Sequence, residues 1–536
     1  MKNLVIKNKL KIAAVTLAAV MLFAGCNIAS ASETTEGSEE SESATEITDE
    51  SYELAELSEV FTDSDYEVGY TEEDSTEITL DGESVTISEA GTYILTGTIE
   101  DGQIIIDADD EDTVRLVLNG VDITCETSAA IYVKNAEKVI ITLASGTTNT
   151  LSTTGEFEAD GDTNVDAVIF SKEDLTLNGE GTLVISSTGN GITSKDNLVI
   201  TSGTYEIDAG KHGLEGKDSV AISSGTFTIT CVKDGIHSDN EDDEELGNIL
   251  IEGGTFTITA QDDGISGSGD VVIDGGTIDV TTSYEGIEGH TLTINDGDIS
   301  IYATDDGLNA AGPSGGDTMM ADDTAWIIIN GGTIDIEAYG DGIDSNGDLT
   351  INGGYITVSG PESAADGSID YEGEGTITGG TLIAAGSSGM AVNMSTATQG
   401  SILVSFDEQE EGTEIIVYDE SGNVVLSFTP KTSYSCVVVS SPDLTIGSTY
   451  TIVAGDSEAD VSLDEYVYGQ STGMGMGGFG FGGGGQMPGG DMDGGGMPGG
   501  DFDFEDGEMP EMPSGDIGGQ MPGGGGPGGQ AEESDN

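Results

Sequence analysis

Ile251-Glu-Gly-Gly-Thr-Phe-Thr-Ile-Thr-Ala-Gln-Asp-Asp-Gly-Ile265 is the clearest copy of a motif that recurs between residues 175 and 383. Each copy has a short apolar strand, a glycine step, a second strand and an acidic residue before Gly-Ile. A unit of about 22 residues cannot bury its own apolar face, so the copies are expected to stack as a solenoid. The residues that follow the glycine step are Thr182, Thr204, Thr226, Thr255, Thr277, Asp298, Thr333, Tyr355 and Thr381, with spacings of 22, 22, 29, 22, 21, 35, 22 and 26.

Apolar side chains alternate inside each copy, as at Phe256 and Ile258, so the elements are strands and not helices. Gly-Gly and acid-Gly steps allow the positive φ that a corner requires. Each coil would then pair in parallel with the next at roughly 4.8 Å. The sequence therefore predicts an all-β fold, a parallel β-helix. One column should stack in its core and not form a sugar-binding strip: Tyr205, Phe227, Phe256, Ile278, Ile299, Ile334 and Ile356.

The charge of the chain limits its partners. Its 536 residues include 101 acidic and 13 basic side chains, which gives a formal charge of −88. Such a surface repels phosphates and anionic lipids, so we expect no nucleic-acid partner. It would also repel an acidic polysaccharide unless cations intervene. The 36% hydrophobic content is enough for the core of one elongated domain, and we expect a monomer.

The N-terminus has the pattern of a bacterial export signal. Four lysines within the first 11 residues precede an apolar run over 12–24 and then Gly25-Cys26. Phe-Ala-Gly-Cys resembles a lipobox, although Phe23 replaces the usual Leu, and it predicts lipidation at Cys26. We therefore expect an extracellular protein anchored by lipid to the bacterial membrane, with ordinary secretion as the alternative. Removal of the signal would leave 9 basic and 101 acidic residues, a charge of −92.

Composition divides the chain into five segments. They are a lipoprotein-type signal peptide (1–25), a disordered acidic Ser/Thr/Glu linker (26–58), the parallel β-helix (59–400), a C-terminal β cap (401–458) and a disordered Gly/Met/Pro-rich tail (459–536). Beyond Cys26, the cysteines are Cys125, Cys231 and Cys436. Their odd number and wide spacing predict buried free thiols and not a disulfide framework.

The acid-Gly corners carry the predicted chemistry. Stacked coils would place their carboxylates roughly 4.8 Å apart, where two charges repel by roughly 0.9 kcal/mol in water and more in a medium of lower dielectric constant. Oxygen ligands of this kind fit Ca²⁺ better than Zn²⁺; the alternative is a solvated edge in which Asp-Gly only makes the turn. The acids directly before the glycine are Asp234, Asp263, Glu285, Asp306, Asp341 and Asp366, and the doubled acids are Asp262 and Asp305. Two residues after the glycine come Glu215, His237, Ser266, Glu288, Asn309 and Asp344.

Three stretches carry a resemblance to a known family: Gly91-Thr-Tyr-Ile-Leu-Thr-Gly97, Val114-Arg-Leu-Val-Leu-Asn-Gly-Val-Asp122 and Ala129-Ala-Ile-Tyr-Val-Lys134. With the Asp-Gly-Ile coils, residues 60 to 455 resemble the bacterial secreted calcium-binding β-helix carbohydrate-binding proteins, which are similar in fold to pectate lyases. The resemblance implies a right-handed helix of about 22 residues per coil, bound Ca²⁺, and binding of cellulose or pectin-type polysaccharide. Asn190 and His212 depart from the pattern, so the first coils are not expected to hold a metal.

Two other functions remain open at this point. A Ca²⁺-dependent lyase needs a base beside the metal, and Lys211 and Lys233 occupy equivalent places 22 residues apart. A structural surface stalk or adhesin would need calcium only for rigidity. A polysaccharide binder should expose aromatic side chains, and the candidates are Tyr302 and Tyr339 on neighbouring coils and Trp326 in an insert.

Overall fold

The computed structural model describes residues 60–312 and 321–469. The predicted signal peptide, the lipidation site at Cys26, the linker up to residue 58 and residues 470–536 of the tail lie outside them. Within the two described ranges the structure is strands joined by turns, with a 3₁₀ turn at Glu72–Asp74. In this part of the chain no helix is both long enough and apolar enough to span a bilayer.

The strands form three parallel sheets, and each regular coil contributes to all three. The threonine sheet begins at the residue after the glycine step and contains Thr148–Thr153, Thr182–Ser187, Thr204–Ala209, Thr226–Cys231, Thr255–Thr259, Thr277–Ser283, Asp298–Ala303, Thr333–Ala338, Tyr355–Ser359 and Thr381–Gly386. The acidic sheet follows the acid-Gly corner and contains Val85–Ile87, Ile104–Asp107, Ile131–Asn135, Ala167–Ser171, Asn190–Ser194, Leu214–Gly216, Ile236–Ser238, Leu308–Ala310, Ile343–Ser345 and Asp370–Tyr371.

The third sheet completes each coil. Its strands are Lys138–Leu143, Asp174–Gly179, Asn197–Ile200, Ser219–Ile222, Asn248–Ile251, Trp326–Ile329, Asp348–Ile351, Gly375–Ile377 and Thr396–Ala397. Longer strands continue from one sheet into the next: Ser75–Asp81, Gly91–Ile99, Thr113–Cys125, Ile265–Ile273 and Ile287–Ile294. The all-β, parallel solenoid predicted from the sequence is therefore confirmed.

The register of the threonine sheet follows the repeat. Each residue predicted to follow the glycine step pairs with its counterpart in the next coil, from Thr182 through to Thr381, at separations between 21 and 35 residues. The glycine step needs glycine: at Gly254 the backbone has φ +117°, and a Cβ there would lie 3.1 Å from the carbonyl oxygen of Gly225.

The predicted aromatic column lies in the core. Tyr205, Phe227 and Phe256 are at most 1% exposed, and their rings stack at 4.9 and 4.7 Å. The isoleucines that continue the column are equally buried. Because burial of each large side chain stabilises by about 1.5–3 kcal/mol, this column is a main source of cohesion between coils, and it is not a sugar-binding surface.

The cysteines of the described part are buried and unbridged, as predicted. Burial raises the pKa of Cys231 to about 12 and that of Cys436 to about 11. Both thiols therefore stay protonated and unreactive at neutral pH.

The C-terminal end of the solenoid is closed by antiparallel strands. Tyr434–Ser441 pairs with both Gly400–Gln409 and the last threonine strand. A separate four-stranded sheet contains Ile415–Asp419, Val424–Phe428, Thr449–Ala454 and Ser457–Ser462, and Val467–Tyr468 pairs with Gly400–Gln409. Strands thus continue past residue 458, where we expected the disordered tail to begin, because Val461 and Leu463 bury their side chains completely in the cap.

The chain enters the solenoid through a segment that packs on the third sheet. Val60 and Phe61 cover the outward apolar patch of Val199, Ala221, Leu250 and Val272. Asp65 is fully buried behind them and pairs with Lys138, with Nζ 2.6 Å from Oδ1. This contact joins the N-terminal segment to the coils.

Candidate metal-binding edge

The acid-Gly corners align in one row between the threonine sheet and the acidic sheet. We call this row the acidic edge; it consists of Asn190, His212, Asp234, Asp263, Glu285, Asp306 and Asp341. Along most of it, each side chain accepts a hydrogen bond from the backbone N–H of the next corner residue, at 3.0 Å from Glu285 to Asp263 and at 2.6 Å from Asp341 to Asp306. A corner residue therefore needs one acceptor atom, which explains why Asn190 and His212 can occupy the row.

A second row runs beside the acidic edge. We call it the inner row: Glu215, His237, Ser266, Glu288, Asn309, Asp344 and Asp370, each paired with the next in the acidic sheet. The two rows together bring the predicted metal ligands onto one side of the solenoid. What differs along them is the source of positive charge.

In the first coils the carboxylates have partners that belong to the chain. Glu215 accepts hydrogen bonds from Thr193 at 2.8 Å and from Lys195 at 2.9 Å. Asp234 Oδ2 lies 3.1 Å from His212 Nδ1 and 2.7 Å from His237 Nδ1. Burial opposes ionisation of both acids, but these partners outweigh it and lower the pKa of Glu215 and of Asp234.

The next coils hold a group of acids without such partners. Burial is the main cause that raises the pKa of Asp263 to about 8 and that of Glu285 to about 9, and repulsion from neighbouring carboxylates adds to it. Burial also raises the pKa of Glu288, although the hydrogen bond from Ser266 acts against it. Their hydrogen-bond donors are neutral: Ser266 donates to Glu288 at 2.9 Å and Asn309 donates to Glu285 at 2.9 Å. The charge of His237 acts on Glu288 but does not outweigh burial and repulsion, so the group carries incompletely compensated carboxylates.

A third group lies further along the same edge. Oxygen atoms of Asp306, Asp341 and Asp344 lie within 4.8 Å of one another. Burial first, with repulsion from nearby carboxylates, raises the pKa of Asp306 to about 8, of Asp341 to about 9 and of Asp344 to about 7. The carboxylates that act on Asp344 are those of Asp370, Glu372 and Asp305. Within the described residues, no lysine or arginine forms an ion pair with the acids of these two later groups.

Both later groups suit a hard divalent cation. Their donors are carboxylate, amide and hydroxyl oxygens, which Ca²⁺ accepts in flexible numbers and geometry. A bound cation would remove the repulsion that raises these pKa values, because an opposite charge nearby favours the ionised carboxylate. The residues present therefore fit Ca²⁺.

The remaining predicted acids lie at the border of the site. Asp262 lies against Lys233, with 2.5 Å between Oδ2 and Nζ, and contributes an oxygen to a group with Asp234 and Asp263. Asp305 directly precedes Asp306 and is half-buried. Asp366 lies one residue out of register, because the N–H bonded to Asp341 belongs to Gly367.

Two of the three predicted aromatic residues, Tyr302 and Tyr339, lie together, and Trp326 lies in another sheet. Tyr302 and Tyr339 contact each other edge to face, with ring centroids 5.9 Å apart, and Tyr339 is 40% exposed. Trp326 was predicted to lie in an insert, but it begins a strand of the third sheet, where it pairs with Thr291 and Asp348. Tyr284, which was not predicted, is 45% exposed and directly precedes Glu285. Its position just before an acidic corner was the available signal.

The two candidate lysine bases point to acids. Lys211 Nζ lies 3.4 Å from Asp166, and Lys233 bonds Asp262. The hydrogen bond to Asp262 and its charge raise the pKa of Lys233. A lysine held protonated in this way is a poor proton acceptor.

Part of the chain is similar in sequence to proteins described as carbohydrate-binding. A curated "Carbohydrate-binding domain-containing protein" from Acetivibrio thermocellus is 43% identical over 122 residues, which are 22% of this chain and 43% of that protein, so the chain spans less than half of its length. A solved structure of a polysaccharide lyase-like protein from C. thermocellum, a gadolinium derivative, is 29% identical, with a TM-score of 0.34 over 52% of this chain and 96% of its own. Residues 81–324, which include the acidic edge from Asn190 to Asp306, match the family model described as "Carbohydrate-binding domain-containing protein".

Proposed function

We propose that this chain is a non-catalytic, calcium-dependent polysaccharide-binding protein of the bacterial cell surface, anchored through Cys26, with cellulose or pectin-type polymers as its ligands. The observation that carries the calcium part is the row of half-buried carboxylates in the two later groups, with which no lysine or arginine of the described chain forms an ion pair. The family match over residues 81–324 supports the carbohydrate part.

Two calcium sites are proposed on the acidic edge. Asp263, Glu285 and Glu288 would hold one ion, with Ser266 as a neutral oxygen donor. Asp306, Asp341 and Asp344 would hold the other, with Asn309 and Asp305 at the border. When bound, the ion supplies positive charge between coils and attracts carboxylates of an acidic polymer.

Exposed tyrosines beside this edge are proposed as the sugar-contacting surface. Tyr339 lies just before the corner at Asp341, and Tyr302, which it contacts, lies before the corner at Asp306. Tyr284 directly precedes Glu285. A tyrosine ring offers an apolar face and a hydroxyl that can form hydrogen bonds, which suits a sugar ring with both kinds of surface. Polymer would therefore cross the acidic edge where cation and aromatic ring lie side by side.

Retention of the full-length protein on immobilised polysaccharides tests the proposal. Binding to polyuronate should require Ca²⁺ and disappear with chelator, because the chain and the polymer are both strongly negative. Binding to cellulose should persist wherever the fold survives chelation. Tyr284→Ala and Tyr339→Ala should weaken retention about tenfold or more, since a well-placed aromatic contact is commonly worth over 1 kcal/mol.

Tyr466→Ala is a matched control, because Tyr466 is also 45% exposed but lies on the cap. Equal losses in all three variants would contradict the proposed surface. Formation of ultraviolet-absorbing unsaturated sugar ends by the parent protein, and their loss in Lys211→Ala or Lys233→Ala, would contradict the non-catalytic proposal. The chain would then be a lyase. If the protein forms no unsaturated product and is retained on no polymer, the structural stalk is the function that remains.

A further inference from the structure

Two of the chain's three histidines meet in the first coils of the acidic edge. His212 lies in the acidic edge and His237 in the inner row, and their rings stack at 4.2 Å with 20° between the planes. Both Nδ1 atoms face the same oxygen of Asp234, at 3.1 and 2.7 Å. Two imidazole nitrogens therefore converge on one carboxylate.

The fold does not require histidine at either position. In the preceding coil Asn190 accepts the N–H of the next corner, as His212 does, and in the following coil Ser266 occupies the place of His237. Oxygen-bearing side chains accept the backbone N–H of the next corner elsewhere in the acidic edge. At this one point of the edge, the histidines thus provide nitrogen atoms where neighbouring coils provide oxygen atoms, and the backbone hydrogen bonds do not require this change.

We propose that His212, Asp234 and His237 form a separate site for a divalent transition metal of the Zn²⁺ class. Zn²⁺ bonds of about 2.0–2.1 Å in a tetrahedron put neighbouring donors roughly 3.3 Å apart. The separations of Asp234 Oδ2 from the two Nδ1 atoms, 3.1 and 2.7 Å, lie below this value, and all three donor atoms lie within 4.8 Å of one another. Zn²⁺ would therefore spread these donors slightly and replace the N–H of Asp234 as the partner of His212 Nδ1. Three protein ligands leave one position open for water or another oxygen ligand.

The surroundings of Asp234 favour a fixed site. Its carboxylate side chain is 7% exposed, while the imidazoles are 21% and 22% exposed, which leaves a path for the ion. The other carboxylate oxygen, Oδ1, accepts the N–H of Asp263 at 3.1 Å, and such outer hydrogen bonds orient a metal ligand. Imidazole nitrogen selects Zn²⁺ and similar ions over Ca²⁺, which prefers oxygen alone. The site therefore differs in donor type from the two proposed calcium groups, and it borders the first of them, because Asp234 offers an oxygen within 4.8 Å of Asp262 and Asp263. It does not depend on polysaccharide binding.

Calorimetric titration of Zn²⁺ into full-length protein saturated with Ca²⁺ tests this site, since Ca²⁺ occupies the other carboxylates. We expect one saturable Zn²⁺ site. His212→Asn and His237→Ser, which copy the residues of the neighbouring coils and so keep the backbone acceptor pattern, should each weaken it about tenfold or more. His290→Gln is the control, because His290 contacts Thr324 elsewhere, and it should bind Zn²⁺ as the parent does.

Cobalt substitution provides an independent readout. Co²⁺ in the parent protein should give visible absorption bands that are lost in His212→Asn and His237→Ser, while Ca²⁺ binding by these variants is retained. Absence of saturable Zn²⁺ binding in the parent, or unchanged affinity in both variants, would overturn the site. Loss of Ca²⁺ and Zn²⁺ binding together would also overturn it, because the two sites would then not be separate. Retention on polysaccharide is measured in a separate experiment. A failure of the proposed polysaccharide binding can therefore be distinguished from a failure of the proposed Zn²⁺ site.

Discussion

The first and the later coils of the acidic edge present buried carboxylates in opposite electrostatic states. Asp234 has its pKa lowered and Asp341 has its pKa raised to about 9, although both are held at equivalent corners of the solenoid. Burial acts in the same direction on both. The difference lies in the partners, since Asp234 contacts two imidazoles whereas Asp341 faces Asp306 and Asp344.

This contrast shows that burial alone does not decide how a carboxyl in a solenoid edge titrates. Where the chain supplies its own cation, as Lys195 does for Glu215, the ionised form is stabilised. Where it does not, ionisation is unfavourable until a cation is supplied from solution.

Removal of Ca²⁺ should have the largest effect. A site that is saturated at 100 times its Kd stabilises the fold by about 2.7 kcal/mol, so loss of two such sites should lower the melting temperature markedly. Differential scanning calorimetry with Ca²⁺ and with excess chelator measures this. An unchanged melting curve, in protein that metal analysis shows to be free of ions, would contradict the calcium proposal.

The stability of metal-free protein should fall as pH rises. Asp341 has a folded pKa of about 9 against an ordinary value of 3.8, so the folded state binds more protons between these values. Stability is then highest below the ordinary pKa and decreases as pH rises towards the folded pKa. Urea unfolding from pH 5 to pH 9 measures the slope. A flat or rising profile in metal-free protein would contradict the later groups as sites of uncompensated charge.

Substitutions at corresponding corners should change stability in opposite directions. Asp263→Asn with Asp306→Asn keeps an oxygen for the next coil's N–H but removes two charges, so metal-free protein should gain about 1–3 kcal/mol at pH 8, and the effect of chelator should shrink. Asp234→Asn should lose about 1–3 kcal/mol, because the imidazoles lose their ionised partner. Urea unfolding of the three proteins compares them, and the same sign in both variants would refute the contrast.

Two lysines give the smallest effects. Lys195→Met leaves the buried Glu215 without its ionic partner and should cost about 1–2 kcal/mol, reduced by the partial exposure of Lys195. Lys233→Met breaks a pair whose side chains are 53% and 39% exposed and should change stability by less than about 0.5 kcal/mol. Thermal melts in high salt provide the control, since they should reduce the Lys233 effect further. Equal costs for the two variants would contradict the role assigned to burial.

Much of the fold could be predicted from the repeat. Glycine steps and alternating apolar residues identified the parallel strands, and the column from Tyr205 to Ile356 lies in the core as expected. The cap boundary and the position of Trp326 could not be predicted in this way. Both depend on pairing between segments distant in sequence, such as Val467–Tyr468 with Gly400–Gln409, for which no local pattern exists.

By itself, the sequence determined the solenoid, its acidic corners and the residues that form them, because a repeat imposes the same neighbours on every coil. Only the tertiary structure decided which corners carry compensated charge. Lys195 reaches Glu215 and the two histidines reach Asp234, whereas the acids after Asp263 accept hydrogen bonds from neutral side chains and form no ion pair with lysine or arginine in the described chain. These contacts depend on side-chain reach and burial across coils, which residue spacing along the chain does not contain.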